Sequence, residues 1–377
     1  MPLKRVTLRF CTAALAVVTL IFTAGPQRTV KAAASVQVIA TGLDNPRGLA
    51  FGTDGALYVV EAGRGGTSTL CLPLADNPTI PRCYGPSGAV TRITGLGVQQ
   101  RVLTGLPSLA QASGEAATGP HDIDFAFDRA WITVGLAANP SVRAPFEAAG
   151  IRLGSLVRAF PANGQWDYVV DISAYEATAN PDGGAIDSNP YGLRVLSNRA
   201  VVTDAGANAL LQISLDRTIS TLAVFPDQFV TPPPPRPSLP MQGVPTSVTE
   251  GPDGTLYVGQ LTGFPFPVGA ANVFRVPRGG GTPVSVATGF TNIIDIAFNG
   301  PGALGYVLEH DADGIPPPFG PSTAGRLIRI NTNGSQTVIA GAELTKPGGV
   351  AVGTDGALYV TNKSISAGTG EVLRIVP

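Results

Sequence analysis

The sequence has few of the residues on which metal-bound small domains and nucleic-acid binders depend. Among its 377 residues only 2 are His and 3 are Cys, which excludes an array of zinc fingers. Charged residues make up 14% of the chain, and the 25 Lys and Arg are scattered among 26 Asp and Glu. A phosphate-binding surface needs clustered basic residues, so we expect no nucleic-acid partner.

Long apolar runs are missing beyond the N-terminus. The 14-residue run Phe10–Thr23 follows Lys4, Arg5 and Arg9, and it is short for a membrane span but suits the core of a secretory signal. Small residues ending at Ala34 form a cleavage signal. We therefore expect residues 1–34 to be a signal peptide, and the mature protein to be extracellular or periplasmic with no membrane contact. An uncleaved anchor is the alternative, because the segment before the cleavage site is long and charged.

Cysteine is scarce enough for its pairing to be considered directly. Removal of the leader removes Cys11 and leaves Cys71 and Cys83, 12 positions apart in a Pro-rich stretch. Two Cys in one loop of an exported protein most simply form a disulfide. Metal binding by two isolated Cys is the weaker alternative.

Turn-forming residues and a repeat are what the sequence has in abundance. It contains 47 Gly and 34 Pro, and 44% of its residues are hydrophobic, so it can bury a core between many turns. The octapeptide GTDGALYV occurs identically at 52–59 and 353–360, and 252–258 is a close variant. Each copy has an apolar strand, then an Asp-Gly turn, then a second strand rich in Tyr and Val. This order predicts a tight hairpin.

The repeat extends to six units that predict the fold. Each unit begins with a similar first strand, found at 45–51, 119–125, 189–195, 244–248, 291–298 and 346–352. A third strand follows in each unit and a fourth in most, which predicts an all-β, six-bladed β-propeller of four-stranded antiparallel blades. The last unit lacks its outer strand, and residues 35–43 match that strand's pattern. We expect them to close the ring, so that 35–377 is one domain. No segment sustains a 3.6-residue period, which excludes a helical solenoid.

One face of the predicted propeller carries the long loops. Loops that precede first strands and loops that follow second strands share this face, and they contain the insertions 62–87, 135–153, 179–188, 231–240, 261–270 and 310–324. Several are rich in Pro and aromatic residues, which can hold rings over a cavity at low entropic cost. Function is expected on this face, although simple packing of the loops is the alternative.

Oxygen-bearing side chains end five of the six second strands. Four of them form a predicted calcium site, because carboxylates and amides without Cys or a His cluster suit a hard cation: Glu61, Asp204, Glu309 and Asn362. The fifth is Gln260, and the sixth strand ends at Gly135. The same residues could instead cap strand ends through hydrogen bonds. Beyond Ca²⁺ we expect no cofactor.

The sequence also offers candidates for catalysis and ligand binding. His121 at the start of a first strand is a candidate general base, with Glu61 as the second residue that could activate water. Ordinary hydrogen bonding is the alternative for such a loop His. The predicted ligand-binding residues are Arg47, Asp122, Asn189, Gln260, Asp295, His310 and Lys346. The chain has no Gly-x-Ser-x-Gly elbow, Walker loop or His-Glu-x-x-His motif.

Several irregular motifs carry a resemblance to a known family. They are YVVEAGRGG at 58–66, the Cys71–Cys83 loop leading into YGPSGAV at 84–90, GPHDID at 119–124, SNPYG at 188–192, VTDAG at 202–206 and LTGFP at 261–265. Together they resemble the ScyD/ScyE family, exported NHL-like propellers named after gene clusters for the pigment scytonemin. The resemblance implies a propeller and export but supplies no catalytic residue. Gln260 stands where the family pattern leads us to expect Glu, which weakens a full carboxylate ring.

Three functional hypotheses follow. The leading one is an exported, monomeric propeller that binds a small molecule, carbohydrate or protein at its loop-rich face, accessory to a secondary-metabolite or envelope process. The alternative is a Ca²⁺-assisted lactonase or related hydrolase, in which the cation polarises a carbonyl. A quinoprotein dehydrogenase is the third, and it is disfavoured because Arg47 and Lys346 are few cations for the cofactor's carboxylates. Fold-level likeness does not decide among them.

Overall fold

The computed structural model describes residues 28–30, 35–73, 79–95, 97–126, 128–230, 238–298, 305–314 and 324–377. The predicted signal peptide lies outside this range except for residues 28–30, and so do the Pro-rich stretches 231–237 and 315–323. No helix within the described residues is long and apolar enough to cross a membrane.

The chain forms a six-bladed β-propeller, as the repeat predicts. Six antiparallel sheets, each with four blade strands, follow one another along the chain. Blade 1 contains the strands Pro46–Phe51, Leu57–Glu61, Pro81–Ile93 and Gln99–Ala110. Blade 2 contains Pro120–Ala126, Arg129–Val134, Ser155–Phe160 and Gln165–Asp171. Blade 3 contains Pro190–Leu196, Arg199–Asp204, Ala209–Ser214 and Ile219–Val224. Blade 4 contains the strands Pro245–Glu250, Leu256–Gln260, Ala271–Val276 and Val284–Phe290. Blade 5 contains Ile293–Ala297, Tyr306–Glu309, Arg326–Ile330 and Gln336–Ala340. Blade 6 contains Gly349–Val352, Leu358–Asn362 and Gly370–Val376, with Ser35–Leu43 as its outer strand.

The repeated octapeptide builds the same hairpin at both of its positions. Gly55 adopts a φ of 74°, which favours glycine, and Asp54 Oδ1 accepts the Ala56 amide across the turn. Asp54 Oδ2 also accepts hydrogen bonds from Tyr58 and from Arg92 on the third strand. The second copy repeats these contacts with Asp355, Tyr359 and Arg374. The Asp-Gly signal therefore forms the turn and also attaches it to the next strand.

The ring closes as predicted. Ser35–Leu43 pairs antiparallel with Gly370–Val376, the third strand of blade 6, so N-terminal residues complete the last blade. This pairing covers an edge that would otherwise be open. Arg28–Val30 runs parallel to Gln336–Ala340 at the outer edge of blade 5, although it belongs to the segment predicted as leader.

The hydrophobic core lies between neighbouring blades. Val60 and Val90 of blade 1 share one buried cluster with Ile132 and Val157 of blade 2. The same arrangement recurs between blades 3 and 4 and between blades 5 and 6. Strands buried on both faces explain the nearly continuous apolar runs of the inner strands.

Several elements on the loop-rich face differ from the sequence expectation. The insertion after the second strand of blade 1 is folded into the sheet: Cys71–Pro73 pairs with an extended third strand, and Cys71 is opposite Cys83. The predicted disulfide between them is confirmed. Short helices at Pro140–Arg143, Ala144–Ala148 and Ile172–Ala179, and a hairpin of Gln228–Val230 with Leu239–Met241, were not predicted.

The first strands leave little room for side chains where they converge on the axis. At one aligned position in the six blades, which we call the axial position, the residues are small or acidic: Gly48, Asp122, Gly192, Ser247, Asp295 and Gly349. A Cβ on Gly192 would lie 2.6 Å from the Ser247 Cα, and a Cβ on Gly48 would overlap the Asp122 carboxylate. Glycine is needed here because the backbones of adjacent blades approach closely.

We predict that Gly48→Ala lowers the free energy of unfolding by about 1–3 kcal/mol, since the added methyl must displace the half-buried Asp122, whose Oδ1 would lie 2.0 Å from the new Cβ. Gly279→Ala is the matched control, because its Cβ would meet nothing within 4 Å. Chemical denaturation of both variants measures the difference. Equal stabilities would show that the axis has more room than the structure indicates.

Candidate functional site: the central channel

The polar residues at the ends of the second strands act as caps. Glu61 Oε2 accepts the Asp44 amide at 2.6 Å, and Asp204 Oδ1 accepts the Asn189 amide at 2.6 Å. Glu309 and Asn362 do the same for Thr291 and Thr345, at 2.8 and 2.7 Å. Each bond ties a second strand to the segment that precedes the first strand of its blade. This arrangement matches the capping alternative considered for these residues.

Glu61 and Asp204 have further donors. Glu61 accepts Thr91 Oγ1 and pairs with Arg101, whose Nη2 is 2.6 Å from Oε2. Asp204 Oδ2 accepts Ser188 Oγ at 2.6 Å. Within the described ranges, no three His, Cys, Asp or Glu side chains are placed to hold one metal ion. The calcium ring of Glu61, Asp204, Glu309 and Asn362 stays a prediction.

Blade 2 lacks a polar strand end because a histidine takes that space. A Cβ on Gly135 would overlap the His121 ring and would lie 2.6 Å from Asn189 Oδ1. The His121 Nδ1 is 3.0 Å from the Pro190 carbonyl of blade 3, and the imidazole stacks on Tyr191 with centroids 4.5 Å apart. His121 therefore links blades 2 and 3.

Five residues define what we call the channel mouth, on the loop-rich face: Arg47, His121, Tyr191, His310 and Lys346. Arg47 is 8% exposed. Its guanidinium donates a hydrogen bond from Nη2 to the Ala117 carbonyl at 2.8 Å and another hydrogen bond to the Tyr191 side chain. Lys346 pairs with the buried Asp311 at 2.5 Å. The His310 Nδ1 lies 2.8 Å from the Pro347 carbonyl, linking blades 5 and 6.

Both histidines of the mouth are neutral at physiological pH. Burial and the Arg47 charge lower the pKa of His121 to about 3, and burial and the Lys346 charge lower the pKa of His310 to about 4. An imidazole with so low a pKa is a weak base near pH 7. The catalytic roles of His121 and Glu61 stay predictions, and these surroundings favour structural roles for both.

Two carboxyls lie deeper, at the axial positions of the opposite blades 2 and 5. Asp122 Oδ2 accepts the Leu193 amide and Asp295 Oδ2 accepts the Val350 amide, both at 2.7 Å, so each joins its blade to the next. Burial raises the pKa of Asp295 to about 7. Burial and the Asp295 charge raise the pKa of Asp122 well above its ordinary value. Both line a cavity of about 270 Å³ in the channel, formed by all six first strands.

The structure thus brings together some of the predicted ligand-binding residues and separates others. Arg47, His310 and Lys346 meet at the mouth, and Asp122 and Asp295 lie below them. Gln260 instead lines a cavity between blades 3 and 4, and its Oε1 accepts the Asn272 amide. Tyr191 was missed, although it follows Pro190 as His121 follows Pro120, so the alignment of first strands could have identified it.

The comparisons with known proteins support the fold. No family model and no curated protein matches the chain. Among solved structures, a streptogramin B lyase is similar with a TM-score of 0.50 and 12% identity over 91% of this chain and 98% of that one. The PQQ-bound aldose sugar dehydrogenase of Streptomyces coelicolor has a TM-score of 0.50 and 14% identity over 93% and 99%. A Bacteroides thetaiotaomicron protein of unknown function has a TM-score of 0.53 and 8% identity over 91% and 76%. At these identities the likeness shows the propeller fold alone.

We predict that Asp295→Asn changes how stability depends on pH. Folded Asp295 keeps its proton up to about pH 7, whereas the unfolded chain releases it near the ordinary value of 3.8. The unfolded state then binds fewer protons, so this group lowers the free energy of unfolding as pH rises between those values. Relative to wild type, the variant should gain about 2–4 kcal/mol from pH 4 to pH 7.

Denaturant titrations at both pH values measure this change. The contributions of His121 and His310 have the opposite sign, but they are present in both proteins and cancel in the difference. Loss of the Asp295 charge also lowers the pKa of Asp122, which changes the difference in the same direction as the loss of Asp295 itself. The exposed Asp128→Asn is the control and should show no such change. A constant difference between Asp295→Asn and wild type would mean that Asp295 is ionised in the folded state.

Proposed function

We propose that this protein binds a small anionic molecule at the channel mouth, with Arg47 as the residue that holds the anion. The observation that carries the proposal is the state of the Arg47 guanidinium. It is almost wholly buried, yet it forms no ion pair with any residue in the described ranges. Its Nε is buried and has no acceptor there.

An unpaired buried cation is costly, because water is removed from the charge without compensation. The hydrogen bonds from Arg47 to the Ala117 carbonyl and to Tyr191 offset part of that cost but leave the charge without an opposite charge. Its charge lowers the pKa of His121 in blade 2 and contributes to the lowered pKa of His310 in blade 5, which places the guanidinium near the axis. Lys346, the other cation of the mouth, already has Asp311. Arg47 is therefore the group that an arriving anion would neutralise.

A carboxylate is the best match among anions. The planar guanidinium presents parallel N–H groups that fit two carboxylate oxygens, and such pairs are strongest where water is excluded. The hydroxyl of Tyr191 could donate a further hydrogen bond to the carboxylate. The neutral His121 and His310 donate through Nδ1 to backbone carbonyls, so their Nε2 atoms could only accept, for instance from a hydroxyl of the same ligand. These groups favour a small organic acid over a neutral sugar.

The loops of the same face support an organic ligand rather than a bare ion. Phe264 is 58% exposed and meets Phe266 edge to face, with centroids 6.4 Å apart. Gly263 donates its amide to the Gln242 carbonyl, which attaches this loop to the segment preceding blade 4. Exposed rings on a fixed loop offer apolar contacts to a ligand's carbon skeleton.

Export and the family resemblance remain parts of this proposal. The Cys71–Cys83 disulfide supports an oxidising compartment, where such bonds persist. The ScyD/ScyE resemblance agrees with an exported propeller, and a carbohydrate or protein ligand is the alternative outcome of the test below. The hydrolase and quinoprotein hypotheses stay predictions, and no observed geometry favours either one.

We predict that Arg47→Met abolishes ligand binding without weakening the fold. Thermal-shift screening of small carboxylates, sulfonates and phosphates should identify stabilising anions, and calorimetry should show at least about tenfold weaker binding to the variant. Met has a similar length and no buried charge, so the free energy of unfolding without ligand should be unchanged or about 1 kcal/mol higher.

Arg275→Met is the control, because Arg275 is exposed on the third strand of blade 4. It should bind the selected anions like the wild type. The proposal fails if Arg47→Met destabilises the protein by several kcal/mol and binds anions normally. It also fails if wild type binds neutral sugars and no anion.

A further inference from the structure

Buried acceptor oxygens without donors are concentrated in the segment between blades 2 and 3. Both carboxylate oxygens of Glu176, Oδ1 of Asn180 and Oδ1 of Asp187 are buried and have no hydrogen-bond partner. All four atoms are acceptors. Buried polar groups normally find a partner, so a group of lone acceptors indicates a missing donor or cation.

The local sequence places these oxygens near one another. The helix Ile172–Ala179 is capped by Asp171, and it ends at Asn180, whose φ is 38° and whose amide donates to the Glu176 carbonyl. The backbone of Asn180 therefore lies one helical turn from that of Glu176. The Asn180 Nδ2 donates to the Gly184 carbonyl at 3.1 Å, which leaves Oδ1 without a role in the loop.

The rest of the loop returns the chain to the same place. Asp182 accepts Gly184 N and Asn208 Nδ2, both at 2.8 Å, so its oxygens are engaged in shaping the turn. The backbone N–H of Asp187 lies close to the Glu176 carboxyl, where it offsets part of the increase that burial causes in the pKa of Glu176. Asp187 therefore lies near the Glu176 carboxyl, and Asn180 follows one helical turn after Glu176.

The charged residues that act on the Glu176 carboxyl are acidic. Glu176 is 0% exposed, and Asp204, Asp182 and Asp187 lie close enough for their charges to act on its carboxyl. No described Lys or Arg forms an ion pair with Glu176, Asp182, Asp187 or Asp204. Burial raises the pKa of Asp187, and the charge of Arg82 offsets only part of that rise.

We propose that Glu176, Asn180 and Asp187 form a calcium site under the loop between blades 2 and 3. Carboxylate and amide oxygens on an irregular loop suit Ca²⁺, which accepts backbone carbonyls and water to complete its coordination. Two carboxylates would balance the charge of one Ca²⁺. Neither His nor Cys takes part, which disfavours zinc.

This site differs from the ring of strand-end residues predicted from the sequence. Asp204 and Glu61 already accept several donors, whereas the oxygens of Glu176 have none. A bound ion would also fix the segment that leads into Asn189 and Tyr191, next to the channel mouth. The site stands independently of anion binding at Arg47.

The test uses the full mature protein treated with a chelator. Isothermal titration calorimetry with CaCl₂ should show one site, and saturating Ca²⁺ should raise the melting temperature by roughly 5 °C. Glu176→Gln should weaken Ca²⁺ binding at least tenfold and remove the thermal shift. If Glu176→Gln does not fold, Asp187→Asn replaces it in the test. This variant removes the second carboxylate and should also weaken Ca²⁺ binding and remove the thermal shift. The exposed Asp227→Asn is the matched control and should bind like the wild type.

Two results would overturn the proposal. One is a chelator-treated wild type that takes up no Ca²⁺. The other is Ca²⁺ binding of unchanged affinity in both Glu176→Gln and Asp187→Asn, which would place the ion elsewhere in the molecule.

Discussion

The convergence of six first strands on one axis is the constraint on which the rest of the structure depends. Where the strands meet, a side chain points at the backbone of the next blade, so Gly48, Gly192 and Gly349 carry none. Asp122 and Asp295 are accommodated because each accepts a backbone amide of that neighbouring blade. The axis is thus closed by hydrogen bonds between blades. Both carboxyls are partly buried near the axis, and this burial raises their pKa values.

The same constraint explains why most polar residues on the loop-rich face are engaged in holding the ring together. Strand-end oxygens bind the amides that precede first strands, and the histidines lie against carbonyls of the following blade. Most of these polar groups have a structural partner. Arg47 lacks an ion-pair partner among the described residues and the oxygens near Glu176 lack hydrogen-bond donors, and ligand and ion binding are inferred from these groups. A polar residue at the end of a strand is therefore weak evidence for a catalytic or ligand-binding role until its hydrogen-bond partners are known.

The sequence predicted the architecture well because the relevant signals are local. The octapeptide forms its turn through contacts within five residues, and the match of residues 35–43 to the outer-strand pattern identifies the strand that closes the ring. The helix Ile172–Ala179 escaped prediction because eight residues give little periodicity. The roles of Glu61 and His121 could not be read from the sequence, since they depend on Arg101 and Pro190, which the fold brings from distant positions. Whether Arg47 is paired is likewise decided by segments far along the chain.

The most direct measurement of the central claim is a crystal structure of the protein grown in bromide, with anomalous data. The account predicts an anomalous peak within hydrogen-bonding distance of the Arg47 guanidinium, at the channel mouth. A guanidinium paired with a carboxylate of the chain itself would contradict it. So would the absence of bromide at Arg47 in a crystal where other sites are occupied.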